Sequence, residues 1–356
     1  MKKRFLPLLV ILLALAVVLM VVVIMRSILR KNASLTAGSE TVPTYTYSDP
    51  SLIGMNISDM GQEILDSVDY STRGRASYQK GVVEKDIEAY QGRGYSGWPS
   101  DVQVESLLSI RKYGDDQVYS LQDPQNPDSY ERIVLFVHGG GYIMDLSQST
   151  VSLCDEIRKT THSRVDIPLY QPIYNANCED ACEFLLDVYK DLLSEGKELV
   201  IMGDSAGGGL ALGFTLYLRE LDMKVPDKMV LICPWLDVTL SNPKIEEYQE
   251  KDRLLGIYGL TLLGKMWADT IDVQDYRVSP IYGAFGKEKE MPDTLLICGT
   301  ADIMYPDTEL LYEKMKAEGH KARMIIGEGL FHVYPMLQIP EAYTTRAIIE
   351  EFIASS

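Results

Sequence analysis

The sequence predicts an α/β protein with a mostly parallel, open sheet flanked by helices, a helical cap and an apolar amino-terminal segment. Three observations carry this. From about residue 100, short apolar runs alternate with longer helical stretches. The runs are apolar on both parities, as strands buried on both sheet faces require. Two of them end in glycine-rich turns, Gly139-Gly140-Gly141 and Gly207-Gly208-Gly209, where a sheet of this kind binds ligands beyond its carboxyl edge.

The runs are Arg132–Val137, Val165–Tyr170, Leu199–Gly203, Met229–Cys233, Thr294–Cys298 and Ala322–Ile326. Helical stretches fall at about 148–161, 178–194, 206–221, 307–318 and 340–354. Alternating β and α of this length argues for a doubly wound sheet. Two regions break the rhythm. Residues 51–100 read as helical and precede the sheet, and residues 240–275 interrupt it with Tyr248, Leu254, Leu255, Leu262, Leu263 and Trp267. Both are read as cap. The expected organisation is a transmembrane anchor at 1–31, a linker at 32–50, cap helices at 51–100 and a catalytic domain at 101–356, with 240–275 contributing to the cap.

Phe5–Met25 is 21 residues without a charge, interrupted only by Pro7. At helical rise this covers about 30 Å, enough to cross a bilayer. It is longer than the apolar core of a secretory signal, and no small-residue cleavage site follows. The expectation is an uncleaved, single-pass anchor. Lys2, Lys3 and Arg4 tip its orientation toward an extracytoplasmic body. Residues 32–50, rich in Ser, Thr, Pro and Gly, read as a linker.

The net charge is −17, although the first 31 residues hold six basic residues and no acid. The body is therefore more acidic than the whole and repels polyphosphate, which excludes nucleic acid as a partner. The five cysteines, Cys154, Cys178, Cys182, Cys233 and Cys298, match no zinc spacing. Cys233 and Cys298 end apolar runs and read as small buried hydrophobes. Cys178 and Cys182 read as free thiols. No metal or organic cofactor is implied.

The chemistry lies just after the runs. Leu199–Gly203 leads into Asp204-Ser205-Ala206-Gly207-Gly208 and then a helix. A sharp strand-to-helix turn exposes the Ser205 hydroxyl above the sheet, and the flanking glycines remove side chains that would clash. Arg132–Val137 leads into His138-Gly139-Gly140-Gly141-Tyr142. Glycines let backbone N–H groups approach a developing oxyanion, each donor stabilising it by roughly 3–4 kcal/mol. The second loop to supply such a donor is the one after the nucleophile, at Ala206. No Gly-Lys-Ser/Thr follows either glycine run, which argues against a phosphate loop.

A serine hydroxyl needs a neighbouring base. Of His138, His162, His320 and His332, only the last two follow Ser205. His320 precedes a strand, at the wrong edge of the sheet. His332 follows that strand and is the expected base. The acid belongs after Thr294–Cys298, at Asp302, where it would fix the imidazole tautomer. Asp307 reads instead as a helix N-cap, and Glu328 is the weaker rival. His138 is expected to hold the glycine loop.

Together His138-Gly139-Gly140-Gly141, Gly203-Asp204-Ser205-Ala206-Gly207-Gly208, Pro234-Trp235-Leu236-Asp237, Ser279-Pro280, Gly299-Thr300-Ala301-Asp302 and Phe331-His332 resemble the hormone-sensitive-lipase-like esterases of the α/β-hydrolase fold. The resemblance covers roughly residues 130–355. It implies carboxylester hydrolysis by Ser205, Asp302 and His332, with oxyanion donors at Gly140, Gly141 and Ala206. It also implies a cap built from the amino-terminal helices. Two loops depart from the family pattern: Asp302 is followed by Ile303 rather than proline, and Gln171–Ala176 replaces an Arg-Leu-Ala-Pro-Glu segment. The expected reaction is hydrolysis of small or short-chain acyl esters through an acyl-enzyme. Amide or peptide hydrolysis by the same triad, and a non-catalytic binding protein on this scaffold, are the other readings. Neither the natural substrate nor the oligomeric state is legible.

Overall fold

The computed structural model describes residues 41–68, 78–91, 97–99 and 102–355. Within them one sheet contains β1 (Tyr45–Thr46), β2 (Leu52–Asn56), β3 (Leu107–Tyr113), β4 (Asp116–Gln122), β5 (Arg132–Val137), β6 (Arg164–Leu169), β7 (Glu198–Asp204), β8 (Lys228–Ile232), β9 (Asp293–Gly299) and β10 (Ala322–Glu328). Their order across the sheet is β1-β2-β10-β9-β8-β7-β5-β6-β4-β3. Pairing is parallel from β2 through to β6, and β1, β4 and β3 add antiparallel edges. The helices are α1 (Asp59–Ser67), α2 (Val83–Tyr90), α3 (Gln148–Thr161), α4 (Cys178–Ser194), α5 (Ser205–Glu220), α6 (Ile245–Gln249), α7 (Ile257–Ala268), α8 (Tyr305–Ala317) and α9 (Pro340–Ala354).

The six apolar runs are the six strands β5 to β10, and their inner residues are buried. Local chemistry sets the helix starts. The Ser147 hydroxyl accepts the Thr150 N–H at 3.0 Å to cap α3. The Asn177 side chain accepts from Glu179 and Asp180 while Asp180 accepts from the Asn177 N–H, a reciprocal cap on α4. Pro340 opens α9, where its missing N–H has no partner to lose.

The amino-terminal part differs from expectation. Residues 52–56 are not cap helix but strand β2, paired in parallel with β10 from Met324↔Leu52 to Glu328↔Asn56. The last residues of the expected linker are docked as well. Tyr45 and Thr46 pair with β2, and the Val42 N–H donates to Thr344 Oγ1 at 2.9 Å. The sequence reading does not include β3 and β4: β3 is an antiparallel edge strand with partly exposed side chains, and the buried stretch of β4 is four residues long and broken by Ser120, rather than a run apolar on both parities. The expected anchor at 1–31, with its apolar segment Phe5–Met25, lies outside the described residues. No helix among the described residues is long and apolar enough to cross a membrane.

Residues 240–275 contain α6 and α7, which meet the amino-terminal helices. Tyr258 Oη donates to Glu84 Oε1 at 2.6 Å, and Arg253 Nη1 donates to the Leu65 carbonyl at 3.1 Å. A Leu263 methyl of α7 lies 3.5 Å from where a Cβ on Gly141 would sit, so α7 covers the glycine loop. All five cysteines are buried and free.

α5 is buried on almost every face and lies against the end of β5. A Cβ on Gly207 would sit 2.1 Å from the Val137 carbonyl oxygen and 2.4 Å from that of His138. These are backbone atoms of the central sheet and cannot swing aside. Gly207→Ala is expected to lose about 3 kcal/mol of stability, measured by denaturant unfolding. An unchanged midpoint would show that the helix can lift off the sheet freely.

Candidate active site

Ser205 stands where β7 turns into α5, with φ +51°. Left-handed backbone is uncommon outside glycine. Here the surroundings impose it: a Cβ on Gly203 would meet the Gly207 carbonyl oxygen at 2.5 Å, and the Trp235 N–H donates to the Ser205 carbonyl at 2.9 Å. The turn aims the hydroxyl at His332. Ser205 Oγ–H donates to His332 Nε2 at 2.9 Å, and His332 Nδ1–H donates to Asp302 Oδ2 at 2.8 Å.

Asp302 follows β9 and His332 follows β10, so both project from the same edge as Ser205. Their loops are stitched together. Thr300 N–H donates to the Gly327 carbonyl at 2.9 Å, Ala301 N–H to that of Leu330 at 2.8 Å, and Gly329 N–H to Thr300 Oγ1 at 2.8 Å. Asp302 is fully buried, and its Oδ1 accepts the Met304 N–H at 2.9 Å. Burial pushes the His332 imidazole down, but the Asp302 charge and hydrogen bond outweigh it and hold its pKa well above the ordinary value.

The glycine loop follows β5, with φ +110° at Gly140 and +61° at Gly141. Gly139 N–H donates to Asp204 Oδ1 at 2.8 Å. The loop is therefore tied to the residue immediately before Ser205. Burial pushes the Asp204 carboxyl up to about 6, with the Gly139 N–H pulling the other way. His138 is buried and stacked on Tyr170 at 4.7 Å, and its Nδ1–H donates to the Gly139 carbonyl at 2.8 Å. Burial pushes this imidazole down to about 4, so it is neutral where His332 takes up protons. Ala206 sits at the first turn of α5, where helical N–H groups lack intrahelical partners. The structure thus gathers Ser205, His332 and Asp302 by direct contact, and sets the Gly140, Gly141 and Ala206 backbone on the two loops beside them.

The rejected candidates lie elsewhere. His320 Nε2–H donates to the Phe285 carbonyl at 2.5 Å, before β10. His162 ends α3. Glu328 accepts from Tyr47 Oη at 2.7 Å. Asp307 is not an N-cap: Met304 takes that position, and Asp307 accepts from Asn242 Nδ2 at 2.8 Å inside the first turn of α8.

Sequence reasoning missed three features. Asp204 carries no role in the sequence reading beyond its place in the serine motif. Cys233, read as core, accepts the Val333 N–H at 3.3 Å, and its Sγ lies within 4.8 Å of the Asp302 and His332 ligand atoms. Asp252 lies beside the Asp302 turn. A lone aspartate in a cap loop gives no signal in one sequence, whereas the strand-end position of Cys233 pointed to the catalytic edge.

A model of the alpha/beta hydrolase fold family matches residues 134–336, more than half of the 356-residue chain. The chain belongs to this family. By family it is a carboxylic ester hydrolase. An esterase of Acinetobacter venetianus is 29% identical over 233 residues, covering 64% of this chain and 76% of that protein. Steryl acetyl hydrolase 1 of Saccharomyces cerevisiae is 27% identical over 230 residues, covering 60% of this chain and 53%, about half, of that protein. The crystal structure of a candidate esterase from Staphylococcus aureus has 25% identity and a TM-score of 0.71, covering 84% of this chain and 99% of that one.

The Asp204 assignment sets a pH dependence for this esterase. A folded pKa of about 6 lies above the ordinary 3.8. The stability it contributes is complete below the unfolded value and is lost as pH rises through about 6. Asp204→Asn keeps an acceptor for Gly139 and cannot ionise. Its unfolding free energy should gain on wild type by on the order of 1–3 kcal/mol between pH 4 and pH 7, read by urea unfolding. A difference independent of pH would refute the buried charge.

Proposed function

We propose that this chain is a serine carboxylesterase for small or short-chain acyl esters, with Ser205 as nucleophile, His332 as base and acid, and Asp302 as the group that orients His332. Ser205 Oγ attacks the ester carbonyl as His332 Nε2 takes its proton. The N–H groups of Gly140, Gly141 and Ala206 hold the resulting oxyanion. His332 returns the proton to the departing alkoxide oxygen as the ester C–O bond breaks. Water then repeats the sequence on the acyl-enzyme, and the acid and free Ser205 are released.

The observation that carries this reading is the unbroken relay from Ser205 Oγ through His332 to Asp302, at 2.9 and 2.8 Å. The short-acyl part is supported by α7, whose Leu263 lies against the glycine loop. It is supported too by relatives whose names specify acetyl hydrolysis, from Saccharomyces cerevisiae and Streptomyces hygroscopicus. Within the same proposal, Phe5–Met25 anchors the domain to a membrane, with the body on the extracytoplasmic side. Its support is the length and apolarity of that segment.

Ser205→Ala and His332→Ala should each lower kcat on p-nitrophenyl acetate by about 10⁴ or more, and the serine variant should not take up a fluorophosphonate. Equal labelling of Ser205→Ala and wild type would sink the nucleophile. Across an acyl-chain series, acetate to butyrate should exceed laurate in kcat/KM, and the reverse order would overturn the short-acyl reading. After alkaline carbonate extraction the full chain should stay in the membrane pellet, while a chain lacking residues 1–31 should not. Release of the full chain would remove the anchor.

A further inference from the structure

Asp252 is fully buried in the loop between α6 and α7. Its Oδ1 accepts the N–H groups of Leu254 at 2.8 Å and Leu255 at 2.9 Å, which fixes its own loop. Its Oδ2 accepts the N–H of Ile303 at 2.9 Å. Ile303 is the residue directly after Asp302. The next N–H, that of Met304, goes to Asp302 Oδ1. Two carboxylates from different parts of the chain therefore divide the N–H groups of one turn. One of them holds the catalytic imidazole, and the other joins that turn to the segment covering the glycine loop.

We propose that Asp252 is a positioning residue for ester hydrolysis, locking the Asp302 turn from the cap side and adding a second negative charge that favours the imidazolium of His332. The inference rests on the Ser205–His332–Asp302 reading above. A buried carboxylate with three N–H donors has its geometry satisfied, and its charge is felt by the neighbours. Burial and the Asp302 charge push the Asp252 carboxyl up to about 7, while its N–H donors and His332 act in the opposite direction. Coulombic coupling is reciprocal, so an ionised Asp252 raises the proton affinity of His332. The other titratable groups that face this pair are Tyr78 on Asp252, from the amino-terminal segment, and Cys233 on His332, from the end of β8. Asp204 faces His332 from the serine turn.

The test uses the full chain with p-nitrophenyl acetate. Asp252→Asn retains acceptor capacity and loses the charge. Its acid limb in kcat/KM against pH should move down by roughly 0.5 unit, because His332 gives up its proton more easily. Asp252→Ala strands three N–H groups and should lower kcat by about tenfold or more, with KM changing less than twofold, and Asp252→Glu should restore part of kcat. A merely structural aspartate would lower the yield of folded protein and leave the pH limb in place. An Asn variant with wild-type stability and an unmoved limb overturns the proposal, as does an Ala variant with wild-type kcat. Should the variants fail to fold, the wild-type His332 Nδ1–H resonance decides. A second inflection near pH 7, where Asp252 ionises, supports the coupling, and a single inflection refutes it. Wild type that hydrolyses no ester would instead bring down the catalytic reading itself.

Discussion

The left-handed backbone at Ser205 is the constraint from which the active edge is built. A residue with a side chain resists φ +51°, a conformation that costs on the order of 1 kcal/mol or more. It persists because α5 is pressed against the sheet at Gly203 and Gly207, where any side chain would strike main-chain oxygen. That same pressure brings the start of α5 against the end of β5, and so brings the glycine loop beside the serine. The Gly139–Asp204 bond then fixes the loop at 2.8 Å from the residue preceding the nucleophile. One tight turn thus sets both the group proposed to attack and the N–H groups proposed to receive the charge.

The ionisable groups around the turn divide by environment. His138 is stacked on an aromatic ring, and burial outweighs the pull of the Asp145 charge and keeps it neutral. His332 is equally enclosed, yet it faces Asp302 across 2.8 Å and favours its proton. Two imidazoles on the same edge of the sheet therefore behave in opposite ways, one neutral and supporting the glycine loop, the other holding its proton in the role proposed for it. The carboxyls divide similarly: Asp204 supports the glycine loop, and Asp302 fixes the orientation of His332.

Much of this was legible because the chemistry demands backbone features that leave marks in sequence. Glycines at 139–141, 203 and 207 record close approaches. Buried parallel strands record themselves as runs apolar on both parities, which is why β5 to β10 and the helices between them could be located. The position of His332 after a strand separated it from His320 before one. The remaining strands left no such mark. β2 is five residues long and includes Gly54 and Asn56, β3 exposes part of its side chains, and the buried stretch of β4 is four residues long and includes Ser120. Contacts made by tertiary proximity were illegible too. Asp252 meets Ile303 across 51 positions of chain, and nothing in its neighbours announces the partner.

The pairing of β2 with β10 joins residues 52–56 to residues 324–328. During synthesis, β2 must wait for β10, about 270 residues further along the chain, before it finds its place. Loop closure over such a distance is slow relative to local helix formation. His332 is made later still, four residues beyond β10, so a partly synthesised chain carries Ser205 and the glycine loop before the proposed base exists. The proposed relay is therefore completed only after β10 has been made.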